Sequence, residues 1–471
     1  MHHVRYARPI AVSLLAAALV LLAPASRAQA QATQSGSQMM LRIHGSNTIG
    51  DDLMPALVKA FLQQEMGYNG VAEDTPRGVK KAKDETYIAG HNDGGDAFIE
   101  IFSHGSKTGF EDLRDLKADI WMSSDKIDLE QARALSAKFG DLTGPLGEHV
   151  IALDGIAVIV NAANPVSRLS ASQLARIFTG SVKSWSEVGG DAGTPHVFAR
   201  DENSGTWKFF KSEVLTRAGM ELTPAARRFE KSEELAHAVE SDARGIGFIG
   251  LNYVGGNRAV QLSPGNDLKQ ARPPNVCTVK TEEYVLARRL YLYTSTHPKP
   301  IVDRFVRFAT SSKAWPIVKN VGLVSTDPSP IAMDDQRREC GGPAEHSPEY
   351  IALTKGHRRL LTNFKFLPGK SALDSRSSQD VQYFVDLMAK PQYWGHRILL
   401  IGYADQSGAF ANNMQLSVVR ANAVGAVLGH ALSGSRVTIG LVAGLGAQDF
   451  LRPNDSEANR DKNRRVEAWI D

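Results

Sequence analysis

From Met40 to about Pro328, short β-rich runs alternate with helix-like ones, and this alternation most limits what the chain can fold into. Leu41-Arg42-Ile43 leads to a helical run, Met54–Gln64. Ala118–Met122, Ile156–Val160, His196–Ala199 and Ile246–Ile249 read as strands. Ser170–Thr179, Trp207–Leu215, Ser232–Ser241 and Lys299–Ala309 read as helices. Strands interleaved with helices predict an α/β fold with largely parallel sheets. A segment of about 300 residues exceeds one comfortable core, so two lobes are expected. Asp74–Gly95 is rich in charge and glycine without an apolar period, and reads as an exposed insertion.

Between Ser325 and Gly356 the composition turns to Pro, Asp, Glu and Gly with little apolar content. The domains expected are 40–335, a linker 336–356, and a smaller α/β domain 357–471. In the last, strand Ile398–Tyr403 is followed by helix Met414–Leu432 and strands Val437–Val442 and Arg465–Ile470, with no repeat relating the halves.

The first thirty residues read as an export signal. Arg5 and Arg8 precede an apolar run, Ile10 to Pro24, then small residues around Ala25-Ser26-Arg27-Ala28-Gln29-Ala30. That order matches a secretory signal peptide, 1–30, cleaved after Ala28 or Ala30. The run is short for a bilayer span. Residues 1–28 hold three arginines and no acid, so the formal +3 of the whole chain falls to about zero on cleavage. Such a balance gives nucleic-acid binding no support. Cys277 and Cys340 are the only cysteines, and in an exported chain a disulfide is their default. Two cysteines without nearby histidines make a poor zinc site, so no metal and no cofactor is expected.

The run Arg200-Asp201-Glu202-Asn203-Ser204-Gly205-Thr206 precedes the helical segment beginning at Trp207. First-turn amides lack internal partners and suit an oxyanion. Gly205 allows close approach, Ser204 and Thr206 add hydroxyls, and Arg200 offers a planar fork. Ser-Gly-Thr also caps helices with no ligand nearby. Three more segments carry the same chemistry: His44-Gly45-Ser46-Asn47-Thr48-Ile49-Gly50, Ser103-His104-Gly105-Ser106-Lys107-Thr108-Gly109, and Ser123-Ser124-Asp125 at a strand end. All belong where ligands of open α/β sheets bind.

With those loops, Leu153-Asp154-Gly155-Ile156-Ala157-Val158-Ile159-Val160-Asn161, Ile177-Phe178-Thr179-Gly180 and Thr281-Glu282-Glu283-Tyr284 make residues 40–330 resemble the periplasmic phosphate-binding proteins of ABC transporters. The resemblance implies a two-lobed periplasmic-binding-protein fold closing on inorganic phosphate or a similar oxyanion, with a transporter permease as partner. It implies Thr48 and the Ile49 amide as ligands from the first loop and Ser106 from the second. Asp125, Arg200, Ser204, Gly205 and Thr206 complete the set. A carboxylate beside a bound anion repels it unless it accepts the anion's proton, so Asp125 is expected to separate phosphate from sulfate. Ser124-Asp125 also fits a plain helix cap. Three departures stand out: Ile49 replaces an aromatic, Asp51 and Asp52 crowd the first loop, and one extra residue precedes Asp125.

Gly245-Ile246-Gly247-Phe248-Ile249-Gly250 fits a dinucleotide pattern but reads as a strand with no helix opening at its glycines. His44 near Ser46 lacks a nucleophile elbow. No catalytic constellation remains, so the chain is not expected to be an enzyme.

In the smaller domain, Asp405 ends a strand and Arg420 lies on the following helix. Together they suit the two charges of a zwitterion, or equally an internal salt bridge. Gly402–Gly408, Asn412–Ala421 and Asn463–Glu467 make residues 360–471 resemble the OmpA-like peptidoglycan-binding domain. That implies Asp405 and Arg420 gripping the diaminopimelate of the stem peptide, with Asn413 and Arg464 on the same motif. The expected protein is a phosphate receptor associated with the cell wall or outer membrane. The alternative is an envelope structural protein whose larger module binds another anion or none.

Overall fold

The strand Glu148–Val160 organises the larger domain, because two different sheets' worth of neighbours pair with its two halves. Val150 to Val160 is an unbroken buried run in this computed structural model, as a strand covered on both faces requires. The structure describes residues 38–471 apart from 94, 203, 333–334, 336–339, 341–345 and 368–371. The expected signal peptide and much of the expected linker lie outside the described residues.

The first part of the long strand pairs antiparallel with Ala287–Tyr293, and Ile156–Val160 pairs antiparallel with Gly245–Gly250. Beyond Ala287–Tyr293 the sheet continues through Ile120–Ser123, Gln38–Gly45, Gly95–Phe102, Glu85–Asn92 and Asn69–Glu73. Beyond Gly245–Gly250 it continues through His196–Arg200 and Arg227–Phe229. Two lobes result, each with its own core. Leu41, Ile43, Phe61, Ile120, Leu290 and Phe305 fill the first. Ile156, Trp185, Phe210, Phe248 and Tyr284 fill the second.

The α/β fold agrees with the sequence, but the sheet is mixed rather than largely parallel. Gln38–Gly45 is parallel to both its neighbours, whereas the two strands linking the lobes are antiparallel to theirs. The exposed insertion expected over Asp74–Gly95 is also corrected. Glu85–Asn92 forms an antiparallel pair with Gly95–Phe102, and Tyr87 and Ile88 are buried. The helix expected over Trp207–Leu215 begins as α-helix at Gly205 and widens to a π-turn over Lys211–Leu215.

The C-terminal sheet runs Pro330–Ala332, Arg358–Phe364, Val466–Ile470, Arg397–Gly402, Thr438–Gly444. Pro330–Ala332 thus pairs with the smaller domain, although the sequence places it before the linker. Helix Ser375–Met388 buries Phe384, Leu387 and Met388 in that domain's core. Cys277 and Cys340 form a disulfide, Cα–Cα 5.2 Å.

The two domains meet over buried charge. Glu282 accepts from Arg289 and Arg376 on Oε1 and from Lys365 and Lys462 on Oε2, at 2.6–3.0 Å. Arg289 also bonds Asp374 at 2.7 Å. Burial alone raises a carboxyl pKa, but these cations outweigh it and hold Glu282 well below its ordinary range.

Candidate functional site

Where the lobes face each other, a cleft of about 590 Å³ is lined by Thr48 from the first lobe and by Arg200, Ser204, Gly205 and Thr206 from the second. Thr48 lies in a helical turn, Asn47–Gly50, which follows strand Gln38–Gly45. Gly45 has φ 140° and its Cβ position would fall 2.1 Å from the Met122 carbonyl oxygen, so only glycine turns the chain there. Opposite, a Cβ on Gly205 would stand 2.6 Å from Thr48 Oγ1. The two loops therefore touch, and the missing side chain is what lets them. Ile49 is buried in the first-lobe core, which leaves only its backbone for a ligand.

Arg200 ends strand His196–Arg200 and donates to Ser232 Oγ at 2.6 Å and to the Glu230 carbonyl at 2.7 Å. Its Nε is buried with no hydrogen-bond partner among the described residues. Burial depresses its pKa, the response of a desolvated cation, though a guanidinium stays charged. Ser204 Oγ accepts from the Trp207 amide at 3.4 Å. The helix cap and the cleft lining are thus properties of one residue.

Two expected ligands are not brought to this cleft. Ser106 Oγ accepts from the Ser124 amide at 3.1 Å, and Ser106 is not among the lining residues. Asp125 is exposed and lines a neighbouring cavity of about 690 Å³ with Lys126, Glu213 and Arg217. Ser124 occupies the buried face instead, its hydroxyl against that of Ser46.

Two residues unassigned from sequence stand between the cleft and the neighbouring cavity: Asp154 lines the cleft and Arg288 lines the cavity. Arg288 donates through Nε and Nη2 to Asp154 Oδ2 at 2.9 and 2.7 Å, through Nη2 to Thr48 Oγ1 and through Nη1 to the Gly205 carbonyl, both at 3.2 Å. Arg288 and Asp154 are directly opposed on the two strands that link the lobes. The signal for Asp154 was a lone charge within the apolar run Val150–Val160, whereas Arg288 stands beside a second arginine, Arg289. At the cleft mouth Asp51 is exposed, yet partial desolvation of its carboxyl by the surrounding protein, with Asp84 and Asp52 nearby, raises its pKa to about 6.

In the smaller domain, Asp405 accepts from Arg464 Nη1 at 3.0 Å and from the amide and hydroxyl of Ser407. Arg420, on helix Phe410–Ala431, donates to the Tyr403 carbonyl at 3.3 Å. The internal salt bridge is therefore Asp405–Arg464, not Asp405–Arg420. Burial and the adjacent Arg464 both depress the Arg420 pKa. Asn413 is buried and ties the loop through its bond to the Gly408 carbonyl, 3.1 Å.

Residues 88–313 match the family described as PBP superfamily domain, and residues 365–464 match the OmpA family. The chain joins a PBP domain to an OmpA domain. The PBP part is similar to the phosphate-binding protein PstS of Staphylococcus haemolyticus, 28% identical over 225 residues, covering 46% of this chain and 69% of that one. The corresponding protein of Staphylococcus saprophyticus is 26% identical over 208 residues, 43% of this chain and 63% of that one. A solved ABC-type phosphate transport receptor from Vibrio cholerae aligns at 22% identity and TM-score 0.47, covering 60% of this chain and 99% of that one. The cleft lies between the lobes of the PBP domain, and Asp405 and Arg420 lie at one end of the OmpA sheet.

Proposed function

We propose that the protein is an envelope receptor for phosphate or a closely similar tetrahedral oxyanion, held to peptidoglycan by its OmpA domain. The observation that carries the reading is the convergence of Arg200, Ser204, Gly205 and Thr206 from one lobe with Thr48 from the other. Such a set offers a guanidinium, hydroxyls and backbone amides to one small anion. The PstS relatives favour phosphate. Closure of the lobes would bring the donors together, and either uptake or sensing would read the closed state. In the OmpA domain, Arg420, which donates to the Tyr403 carbonyl and makes no salt bridge among the described residues, is the cation for a ligand carboxylate, and Asp405, shared with Arg464, takes an ammonium.

Calorimetric titration of the full-length protein with phosphate tests the first half. Arg200→Ala is expected to weaken binding by about 3 kcal/mol, because a desolvated charge pair loses one partner. Unchanged affinity would reduce the Arg200–Thr206 run to a helix cap. Sedimentation with purified peptidoglycan tests the second half: the chain should pellet, Asp405→Ala with Arg420→Ala should not, and free diaminopimelate should compete.

A further inference from the structure

One helix of the OmpA domain touches both lobes and the strands between them. Helix Ser375–Met388 is capped by Asp374, whose carboxylate also holds Arg289 at 2.7 Å. Arg289 lies on the linking strand Ala287–Tyr293, directly across from Leu153. Toward the second lobe, Arg376 donates to the Lys280 carbonyl at 2.7 Å, and the adjacent Val279 belongs to that lobe's core. Toward the first lobe, Gln379 accepts from the Val150 amide at 3.2 Å, and Tyr383 donates to the Thr310 carbonyl. The Tyr383 ring also meets Trp315 edge-on, ring centroids 5.1 Å apart. Gln379 and Tyr383 stand four residues apart and so share one helix face. The second lobe is gripped further by Asn363 on the Thr281 carbonyl at 2.7 Å and by the Cys277–Cys340 disulfide. Cys340 packs against Leu361 of the OmpA domain.

We propose that the OmpA domain is a strut across the hinge, holding the lobes together and thereby raising the anion affinity of the cleft between them. This inference rests on the receptor reading above. The lobes stand close in this structure. Arg288 bonds Thr48 Oγ1 and the Gly205 carbonyl, both at 3.2 Å, and Lys83 Nζ faces Glu230 Oε1 at 3.9 Å across the cleft mouth. Both sets of OmpA contacts are made in that arrangement. A 14-residue helix anchored in its own domain's core through Phe384, Leu387 and Met388 moves as a rigid body. Opening rotates one lobe against the other about the linking strands, so it must break the bonds on one side of the helix. The disulfide keeps the second-lobe side, which makes Gln379 and Tyr383 the contacts that yield. Breaking them leaves part-buried polar groups without partners, so docking weights the equilibrium toward closed lobes. Linkage makes the effect mutual: an anion that closes the lobes also tightens the docking.

The test uses the full-length protein with Gln379→Ala and Tyr383→Ala together, which release the first lobe and touch no lining residue of the cleft. Spin labels on Lys83→Cys and Glu230→Cys read the opening of the mouth directly, without any anion. The wild-type background should give mainly short distances, and the double variant should add a longer population. In unlabelled protein, calorimetric titration should show phosphate binding weakened about five- to tenfold by the double variant. Trp315→Ala, which removes the ring contact from the first-lobe side, serves if Tyr383→Ala unfolds the OmpA domain, and should shift distances and affinity in the same direction. Wild-type distances in the variants, or longer distances with unchanged affinity, overturn the strut and leave the receptor reading intact. A wild type that binds no phosphate overturns the receptor reading, and the label distances still decide whether the OmpA domain holds the lobes.

Discussion

Asp51 illustrates how a single side chain sets the operating range of the cleft. Its pKa of about 6 reflects burial first, then Asp84 and Asp52. A carboxyl raised above its ordinary 3.8 binds its proton more tightly in the fold, so its ionisation costs stability as pH rises from about 4 to 6. For a bound anion the sign is the same: below pH 6 the mouth loses one negative charge and binding strengthens. Asp51→Asn is therefore expected to improve anion affinity several-fold at pH 7.5, an effect of under about 1 kcal/mol for a partly solvated charge. The variant should match the wild type near pH 5 and exceed it by pH 7, as the wild-type carboxyl ionises. Equal affinities at both ends of that range would show that Asp51 does not feel the ligand. The Asp51 and Asp52 crowding was legible in the sequence, but the Asp84 charge beside them was not, because it comes from a distant segment.

At the scale of elements, the loop Arg200–Thr206 and its helix were legible because their chemistry is local: a strand, a polar turn and an N-cap fall within a dozen residues. Strand Glu85–Asn92 was not, since its apolar signal is confined to Thr86–Ala89 between charged flanks and its partner is the next strand rather than a core helix. The facing loops make a prediction of their own. Gly205→Ala introduces a methyl group 2.6 Å from Thr48 Oγ1, too close for the loops to keep their contact. Affinity for phosphate should fall about tenfold or more, corresponding to an overpacking cost of about 1–3 kcal/mol. The added Thr48→Ala change should recover part of it, since it removes the colliding hydroxyl. No recovery would place the effect in the helix start rather than in the contact between lobes.

At the scale of the whole molecule, the OmpA domain is docked on both lobes of the PBP domain. Gln379 accepts from the Val150 amide at 3.2 Å and Tyr383 bonds the Thr310 carbonyl in the first lobe. Arg452 donates to the Glu283 and Tyr284 carbonyls at 2.8 and 2.9 Å, next to the second lobe's core. Glu282 has φ 57°, an uncommon left-handed conformation for a non-glycine residue, which the four cations around it hold in place. Glu282→Gln leaves those cations with one fewer buried counter-charge, so unfolding by urea should show a loss of about 3–5 kcal/mol. A loss under 1 kcal/mol would mean that water enters the interface freely. Because the Glu282 pKa is held below its ordinary 4.5, its contribution is present above that pH and is lost as pH falls through the lower folded value. Reducing Cys277–Cys340, which spans 63 residues, should cost up to roughly 4 kcal/mol in the same measurement.

Legible in the sequence were the alternation of strands and helices in most of the larger domain, the presence of a second, smaller domain, the anion-suited loops and the OmpA motif. Each is written in short-range patterns of apolarity, capping and spacing. Tertiary structure alone decided which carboxylate enters the cleft. Asp125 lines the neighbouring cavity, and cross-strand pairing placed Asp154 against Arg288, 134 positions away in the chain. It also decided that the OmpA domain is bolted to the PBP domain by buried ion pairs. Register and burial depend on partners far apart in sequence, and no local pattern encodes them.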